Sequence, residues 1–191
     1  MARRPAAIAI GVAIVAFVIG WLMRVDPPRW INRPPKPVAA APAPAPPAPP
    51  GRKIKARLFY VSDDGTRLTG VERDIAYGEG PLEQAREIIS AQIAPVSEPF
   101  VSAVPPGTTV RALFMTEGGD AYVDLSREVT ASHTGGTLDE ILTVYTIVNA
   151  LTANLPAITS VQLLVEGKEV DTLSGHVDLR RPLSKNLSWV Q

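Results

Sequence analysis

The sequence predicts a mixed α+β domain of two layers, a mixed sheet with two main helices packed on it, plus an N-terminal transmembrane helix. Three observations predict this fold class. Two pairs of strand-like segments are each joined by a turn signal, at residues 54–75 and 109–125. Two helix-like segments, 80–94 and 137–154, are interleaved with them, and one long apolar run precedes them all. Because helices and hairpins alternate, helices on one face of a sheet are favoured over a doubly wound parallel sheet.

The composition limits the classes of function. The chain has 191 residues, of which 46% are hydrophobic and none is cysteine, so it contains no disulfide, thiolate nucleophile or lipid-modified cysteine. Residues 1–51 carry six Lys and Arg against one Asp, and the rest of the chain carries 13 basic and 18 acidic residues. A mildly acidic domain is a poor partner for nucleic acid, because phosphate contacts need clustered basic side chains.

Residues 1–25 are predicted to be a transmembrane signal anchor that contacts the lipid bilayer through residues 6–23. The run from Ala6 to Met23 holds 18 residues without a charge, and at 1.5 Å rise per residue it spans about 27 Å of the bilayer core. The small-residue triplet Ala39–Ala41 lies well beyond this run, whereas signal peptidase sites lie close behind the apolar region. An uncleaved anchor is therefore expected, although the flanking Lys and Arg do not settle its orientation.

Residues 26–52 are predicted to be a linker rich in Pro and Ala. Eleven of the 19 prolines lie between Asp26 and Pro50, a composition that favours polyproline II and cannot form a packed core. Extended at about 3.1 Å per residue, such a linker reaches on the order of 80 Å. It would hold the domain away from the membrane, and as an alternative its Ala-Pro runs could bind aromatic-lined grooves.

The folded domain is assigned to residues 53–185, followed by a tail at 186–191. Its first half begins with an alternating strand from Ile54 to Tyr60, the turn signal Asp63-Asp64-Gly65 and a returning strand, 68–75. A helix opens at Gly80-Pro81, with Pro at the first helical position, and Pro95 ends it.

The second half opens with Pro105-Pro106-Gly107, which predicts a rigid turn, followed by strands over 109–116 and 121–125 that flank a Gly-Gly turn. Residues 126–136 are rich in Ser, Thr and Gly and predict a loop near the surface.

The long helix from Thr137 to Asn154 is the best-patterned element. Thr137 and Glu140 have the spacing of a capping box, and Pro156 follows the predicted end. Its apolar residues recur at the spacing of a buried face, which Val144 and Ile147 widen. A strand over 161–165, a turn at Gly167 and a last short strand at His176–Leu179 complete the domain.

No constellation of residues predicts a catalytic, cofactor or metal site. The two histidines, His133 and His176, would need carboxylates to complete a metal shell. A Ser-His-Asp arrangement would combine Ser126 or Ser132 with His176 and Asp124, yet no G-x-S-x-G motif is present. We expect Asp124 to form a local turn with the backbone instead.

Asn149 is the candidate whose role is most open. It is a polar residue in the middle of an apolar helix, so it either bonds to neighbouring backbone or contacts a partner. The predicted structural or interaction residues are Pro105, Pro106, Gly107, Asp124, Asn149, Gly167 and His176.

Several segments over residues 54–183 together resemble the GerMN domain of spore germination and envelope proteins. They are LFYVSDDG, PLEQAREII, AVPPGTTVRALFMTEGGDAYVDLSREV, LTVYTIVNAL, VQLLVEGK and LSGHVDLRRPL. Asn149-Ala150 departs from the family pattern, which often has Asn followed by Thr or Ser. The resemblance implies a fold related to ring-building modules, an extracytoplasmic location and a part in assembly, with no catalytic residues to carry over.

We therefore expect a single-pass protein of the cell membrane, with an extracytoplasmic (periplasmic) domain that binds an unknown envelope protein or itself. Ring-like self-association is one form this could take. A ligand-sensing or regulatory domain with a pocket beside the loop 126–136 is the main alternative, and a hydrolase is the third.

Overall fold

A computed structural model describes residues 51–191 of the chain. The predicted anchor and nearly all of the predicted linker fall on residues outside this range. Among the described helices, none is long and apolar enough to cross a membrane.

The domain begins with an antiparallel hairpin, as the alternation predicts. Strand β1 (Lys53–Val61) pairs with β2 (Leu68–Ala76). The turn between them is closed by the Gly65 N–H, which donates to the Ser62 carbonyl at 2.8 Å. One face of the hairpin buries Ala56, Leu58 and Tyr60 against the rest of the domain.

Three helices and five further strands follow. Helix α1 (Gly80–Ile93) has Pro in its first turn, as predicted, and leads to strands β3 (Val110–Met115) and β4 (Asp120–Leu125). The predicted loop after β4 contains a short helix, α2 (Glu128–Ala131). The remaining elements are α3 (Thr137–Asn154), β5 (Ser160–Val165), β6 (Lys168–Glu169), β7 (Leu183–Ser184) and a 3-10 turn at Leu187–Trp189.

The mixed α+β class is confirmed, but the single two-layer sheet is wrong. Within residues 51–191 the hairpin is a separate two-stranded sheet, and the other strands form a five-stranded sheet in the order β3-β4-β5-β6, with β7 also paired to β5. Strands β4 and β5 are parallel and their neighbours antiparallel. Because α3 contacts both β1 and β5 and is buried on most sides, it lies between the two sheets.

Helix α3 is the centre of the hydrophobic core. Val144, Ile147, Val148 and Leu151 have no exposed surface, whereas Leu138 is only half-buried. The helix is apolar on more than one side because it has a sheet on two sides, as the widened stripe predicts.

Two local predictions around α3 are wrong for one shared reason. Thr137 is the first helical residue rather than the cap, and no side chain caps this end. Glu140 turns away from the helix start and bonds to the segment 173–177. Since those backbone N–H groups converge on one carboxylate, His176–Leu179 is an irregular loop and not a strand.

Candidate functional site

The predicted turn at Pro105-Pro106-Gly107 is present and borders two grooves. The N–H and hydroxyl of Thr108 both donate to the Pro105 carbonyl, at 3.3 and 2.7 Å. Gly107 has φ +82°, the positive value that a type II turn requires at its third residue. The segment 101–106 lines both grooves.

The first groove, here called the histidine groove, has a volume of about 320 Å³. It lies beside the loop 126–136, where the alternative hypothesis places a pocket. The segment 101–106 supplies an apolar wall, and the loop and α3 supply the polar groups, namely Ser132, His133, Thr134, Asp139 and Thr143. A hydroxyl-rich rim over an apolar wall suits a small neutral ligand.

The second groove, here called the apolar groove, has a volume of about 410 Å³. The end of α1 and the residues that follow it supply one side, and the segment 101–107 supplies the other. Apart from Ser102, its lining side chains are apolar and include Ile93, Val96, Phe100, Val101, Pro105 and Pro106.

The hydrogen bonds of His133 fix its tautomer. Its Nδ1 accepts from the Gly135 N–H at 3.0 Å, so in the neutral ring the proton is on Nε2. Nε2 lies 3.2 Å from Oγ1 of Thr143, which in turn donates to the Ala103 carbonyl at 2.6 Å. The ring therefore donates to a hydroxyl whose own proton is already engaged. It links two loops to α3 and is not poised as a base for that hydroxyl.

Asp124 makes a long-range contact in place of the predicted local turn. Its Oδ1 accepts from the Gly167 N–H at 2.7 Å, and its Oδ2 lies 3.9 Å from Nε of Arg111. Gly167, with φ +77°, follows Glu166 at φ +52° in the two-residue turn from β5 to β6. Asp124 thus fixes the neighbouring turn, because β4 and β5 run parallel and end at the same edge.

The residues of the hypothetical Ser-His-Asp arrangement each bond elsewhere. Ser126 Oγ accepts from the Thr109 N–H at 3.0 Å, and its hydroxyl holds the pKa of Glu128 below its usual value. His176 is exposed and contributes its backbone N–H to Glu140. Among the described residues, no hydrogen bond joins Ser126, His176 and Asp124.

Glu140 is a buried carboxylate that the capping prediction misassigned. It has no exposed surface and accepts from the N–H groups of Leu173 and His176, each at 2.8 Å, and from the Ser174 hydroxyl at 3.2 Å. Burial by itself would raise the pKa of Glu140, but the converging N–H groups outweigh burial and lower it. The sequence does carry a signal, because Glu140 lies on the same helical stripe as Val144 and Ile147.

Asn149 bonds to backbone, which resolves the open alternative. Its Nδ2 donates to the Asn186 carbonyl at 2.8 Å, and its Oδ1 accepts from the Asn186 N–H at 3.0 Å. Gln92 bonds in the same way to Phe59, at 2.8 and 2.7 Å, and Asn154 to Arg57, at 2.8 Å for both bonds. Each side-chain amide bonds to both the N–H and the carbonyl of one residue, as a peptide group of a neighbouring β-strand would.

Among residues 51–191, two large apolar side chains are more than half exposed, Val101 at 59% and Phe114 at 57%. Val101 lines both grooves. Phe114 lies on β3, the edge strand, on the sheet face opposite to the fully buried Leu113. The sequence marks neither as unusual, because single apolar residues at the surface are common.

Within residues 51–191, no three His, Asp or Glu side chains lie close enough together to hold a metal ion. The polar candidate residues therefore bond to the protein's own backbone, whereas the apolar side chains of Val101 and Phe114 face solvent.

The described residues therefore form a small mixed α+β domain with surface grooves and exposed apolar side chains. The chain belongs to the Germane family, described as "Sporulation and spore germination", whose sequence model matches residues 57–171. This confirms the resemblance to GerMN-type domains. No curated protein matches the sequence.

Solved structures share this fold. The first GerMN domain of the sporulation protein GerM from Bacillus subtilis is 20% identical, with 70% of this chain and 96% of that chain covered and a TM-score of 0.50. The tandem GerMN domains of GerM are 20% identical, with 72% of this chain and 46% of that chain covered and a TM-score of 0.52. A candidate lipoprotein of Clostridium perfringens is 22% identical, with 70% of this chain and 88% of that chain covered and a TM-score of 0.50. The chain thus spans less than half of the tandem protein.

Proposed function

We propose that this protein is a membrane-anchored, extracytoplasmic interaction module of the bacterial cell envelope. It acts through protein–protein contacts, including self-association, and not through catalysis. The observation that carries the proposal is the exposure of Val101 and Phe114. Val101 lines both grooves, and an exposed apolar side chain beside a concave surface is typical of protein contact sites.

The bonding of the polar candidates supports a non-enzymatic role. The ring nitrogens of His133 face Gly135 and Thr143, and the Asp124 carboxylate bonds to Gly167. Each group holds a loop in place, whereas a general base needs a free lone pair directed at a substrate.

The anchor and the linker extend the proposal to location. The uncharged run 6–23 has the length to span a bilayer, and residues 26–52 would let the domain reach partners away from the membrane. Protease digestion of spheroplasts tests the orientation. Loss of an epitope placed after Gln191, with a cytoplasmic control protein intact, is expected, and a protected epitope would overturn the extracytoplasmic placement.

The contact function is tested by photo-crosslinking in cells. A photoreactive amino acid replaces Val101 or Phe114 in the full-length protein, and exposed Asp171 serves as the matched control position. We expect discrete crosslinked products, identified by mass spectrometry, from the two apolar positions and not from the control. Equal yields from all three positions, or no product from any, would contradict an interaction module.

Ligand binding in the histidine groove is a second candidate, favoured by its position beside the loop 126–136. Its polar rim and apolar wall suit a short saccharide, so a chito-oligosaccharide is a suitable probe. Binding would raise the unfolding temperature of the full chain by mass action. Asp139→Leu should remove that rise. A screen of saccharides without any shift would eliminate this candidate.

A further inference from the structure

Tyr60 is a buried residue whose hydroxyl has no partner in the fold. It is 2% exposed, and its hydroxyl makes no hydrogen bond within residues 51–191. The oxygen is not sealed in the core, because the fully buried, unbonded side-chain atoms of this range are Nε of Arg86 and Oγ1 of Thr146. Buried polar groups in folded proteins nearly always have a hydrogen-bond partner. The Tyr60 hydroxyl is therefore a group that a bound molecule can satisfy.

Tyr60 lines a further pocket, here called the tyrosine pocket, which has a volume of about 310 Å³. Val71, Pro99 and Phe100 give this pocket an apolar side. The Phe100 ring packs against the Tyr60 ring with the two centroids 4.9 Å apart. The polar groups of the pocket include the carboxylate of Asp63. Apolar surface with a few polar groups directed at it is typical of sites that bind small molecules.

The guanidinium of Arg73 adjoins the same aromatic ring. Its central carbon lies 5.4 Å from the centroid of the Phe100 ring. Burial raises the pKa of the Tyr60 hydroxyl above its ordinary value of 10.0, and the positive charge of Arg73 opposes that rise. The hydroxyl is thus protonated at neutral pH and can donate a hydrogen bond. A guanidinium beside a phenol that donates is suited to bind the oxygens of one anionic group.

An opposite charge lies toward the other end of the pocket. The cross-strand pairs Tyr60–Thr69 and Ala56–Arg73 place Thr69 and Arg73 on one face of the hairpin. At about 3.4 Å per residue these two positions are about 13 Å apart. Asp63 belongs to the turn at the Thr69 end of the hairpin. Neither Asp63 nor Arg73 takes part in an ion pair within residues 51–191.

We propose that the tyrosine pocket binds a short peptide with free termini. Arg73 and the Tyr60 hydroxyl hold its carboxylate, and its ammonium group lies beside Asp63. An extended tripeptide spans about 10 Å, which suits two charges separated along the strand, whereas a single amino acid is too short to reach both. A phosphate group is less suited, because its additional negative charge would be repelled by Asp63.

This site is separate from the surfaces of the proposed function. The tyrosine pocket contains neither Val101 nor Phe114, so peptide binding and protein contact can each be present without the other. The photo-crosslinking described above tests the contact function, and a titration with peptides tests this site.

The titration uses the full chain in detergent and three peptides that differ in their termini. Isothermal calorimetry should detect binding of trialanine. The amide of trialanine should bind at least about tenfold more weakly, because it has no carboxylate to form charge-assisted hydrogen bonds. N-acetyl-trialanine, which has no ammonium group, should bind several-fold more weakly. Inorganic phosphate should not displace trialanine.

Variants assign each terminus to its side chain. Arg73→Gln should weaken trialanine by about tenfold and leave the weaker binding of the amide unchanged, since the amide has no carboxylate to lose. Asp63→Asn should weaken trialanine and leave N-acetyl-trialanine unchanged. Tyr60→Phe removes only the hydroxyl and should weaken trialanine several-fold. Lys55→Gln, at an exposed cation on the opposite face of the hairpin, should behave as the wild type.

Three results would overturn the proposal. The first is the absence of trialanine binding, because recognition here depends on the two termini. The second is an equal loss of trialanine and of its amide in Arg73→Gln, which would show that Arg73 does not hold a carboxylate. The third is displacement of trialanine by phosphate, which would identify a general anion site. Thermal unfolding of each variant should match the wild type, since Asp63 and Arg73 are exposed and Tyr60→Phe keeps the ring.

Discussion

The two ends of α3 hold neighbouring segments by different chemistry. At the N-terminal end, the carboxylate of Glu140 collects the N–H groups of the loop 173–177. Toward the C-terminal end, the amides of Asn149 and Asn154 each bond to both backbone groups of one residue, Asn186 and Arg57.

The two kinds of group impose different conformations on the backbone that they bind. An ionised carboxylate only accepts hydrogen bonds, so several N–H groups must converge on it and the chain around it becomes a loop. A side-chain amide carries an NH2 donor beside a carbonyl acceptor, as a peptide group carries an N–H beside a carbonyl, and it can therefore continue the edge of an extended strand. The charged contact should depend on pH, and the amide contacts should not.

The largest expected effect comes from Glu140→Leu. This change leaves the N–H groups of Leu173 and His176 without acceptors in a buried site, at a cost of about 3 kcal/mol or more in the free energy of unfolding. Urea unfolding of the full chain, followed by circular dichroism, measures it. The neighbouring exposed acid provides the control, because Asp139→Leu should cost less than about 1 kcal/mol. Equal costs would show that the buried carboxylate has no special role.

The second prediction concerns acid. Because the pKa of Glu140 is lowered from its ordinary value of 4.5, its contribution is fully present above that value and is lost as pH falls through the lower folded-state pKa. The difference in unfolding free energy between wild type and Glu140→Gln should therefore narrow as pH falls below about 4.5. Unfolding at a series of pH values tests this, and a constant difference would contradict it.

A smaller effect is expected from Asn149→Ala. The amide is fully buried, and its loss leaves the N–H and carbonyl of Asn186 unpaired, at about 2 kcal/mol. The segment 186–191 should also become sensitive to protease, which gel analysis would show. Asn149→Asp should not restore protection, since its carboxylate would face the Asn186 carbonyl. Resistance equal to the wild type in both variants would count against this contact.

The smallest effect should follow Asn154→Ala. Its bonds to Arg57 are exposed, so water can replace the amide and the cost should be about 1 kcal/mol or less. Gln92→Ala removes the same pair of bonds from Phe59 in a buried site and should cost about twice as much. Hydrogen exchange at the Arg57 N–H should nevertheless accelerate in Asn154→Ala. If Asn154→Ala lowered the free energy of unfolding more than Gln92→Ala, burial would not be what makes these hydrogen bonds stabilising.

The candidate residues divide by whether their contacts are local. The turn at Pro105-Pro106-Gly107 is set by its own residues, and it is present as predicted. Asp124 bonds to Gly167, 43 residues away, and only the parallel pairing of β4 and β5 brings them together. The sequence around Glu140 fits a local capping pattern, in which its carboxylate would accept one hydrogen bond at the helix start. In the fold it instead accepts three hydrogen bonds from the distant segment 173–176.

The elements of this protein can be predicted from its residues alone: the two hairpins, the helices 80–93 and 137–154, and the strand after them. Periodicity and turn residues act within a few positions, so they can be read from the chain alone. The folded molecule was needed to show that the hairpin is a separate sheet, that side-chain amides complete its edge, and that Phe114 and Val101 face solvent. Those outcomes depend on which surfaces meet in space, because α3 packs against both the hairpin and the larger sheet.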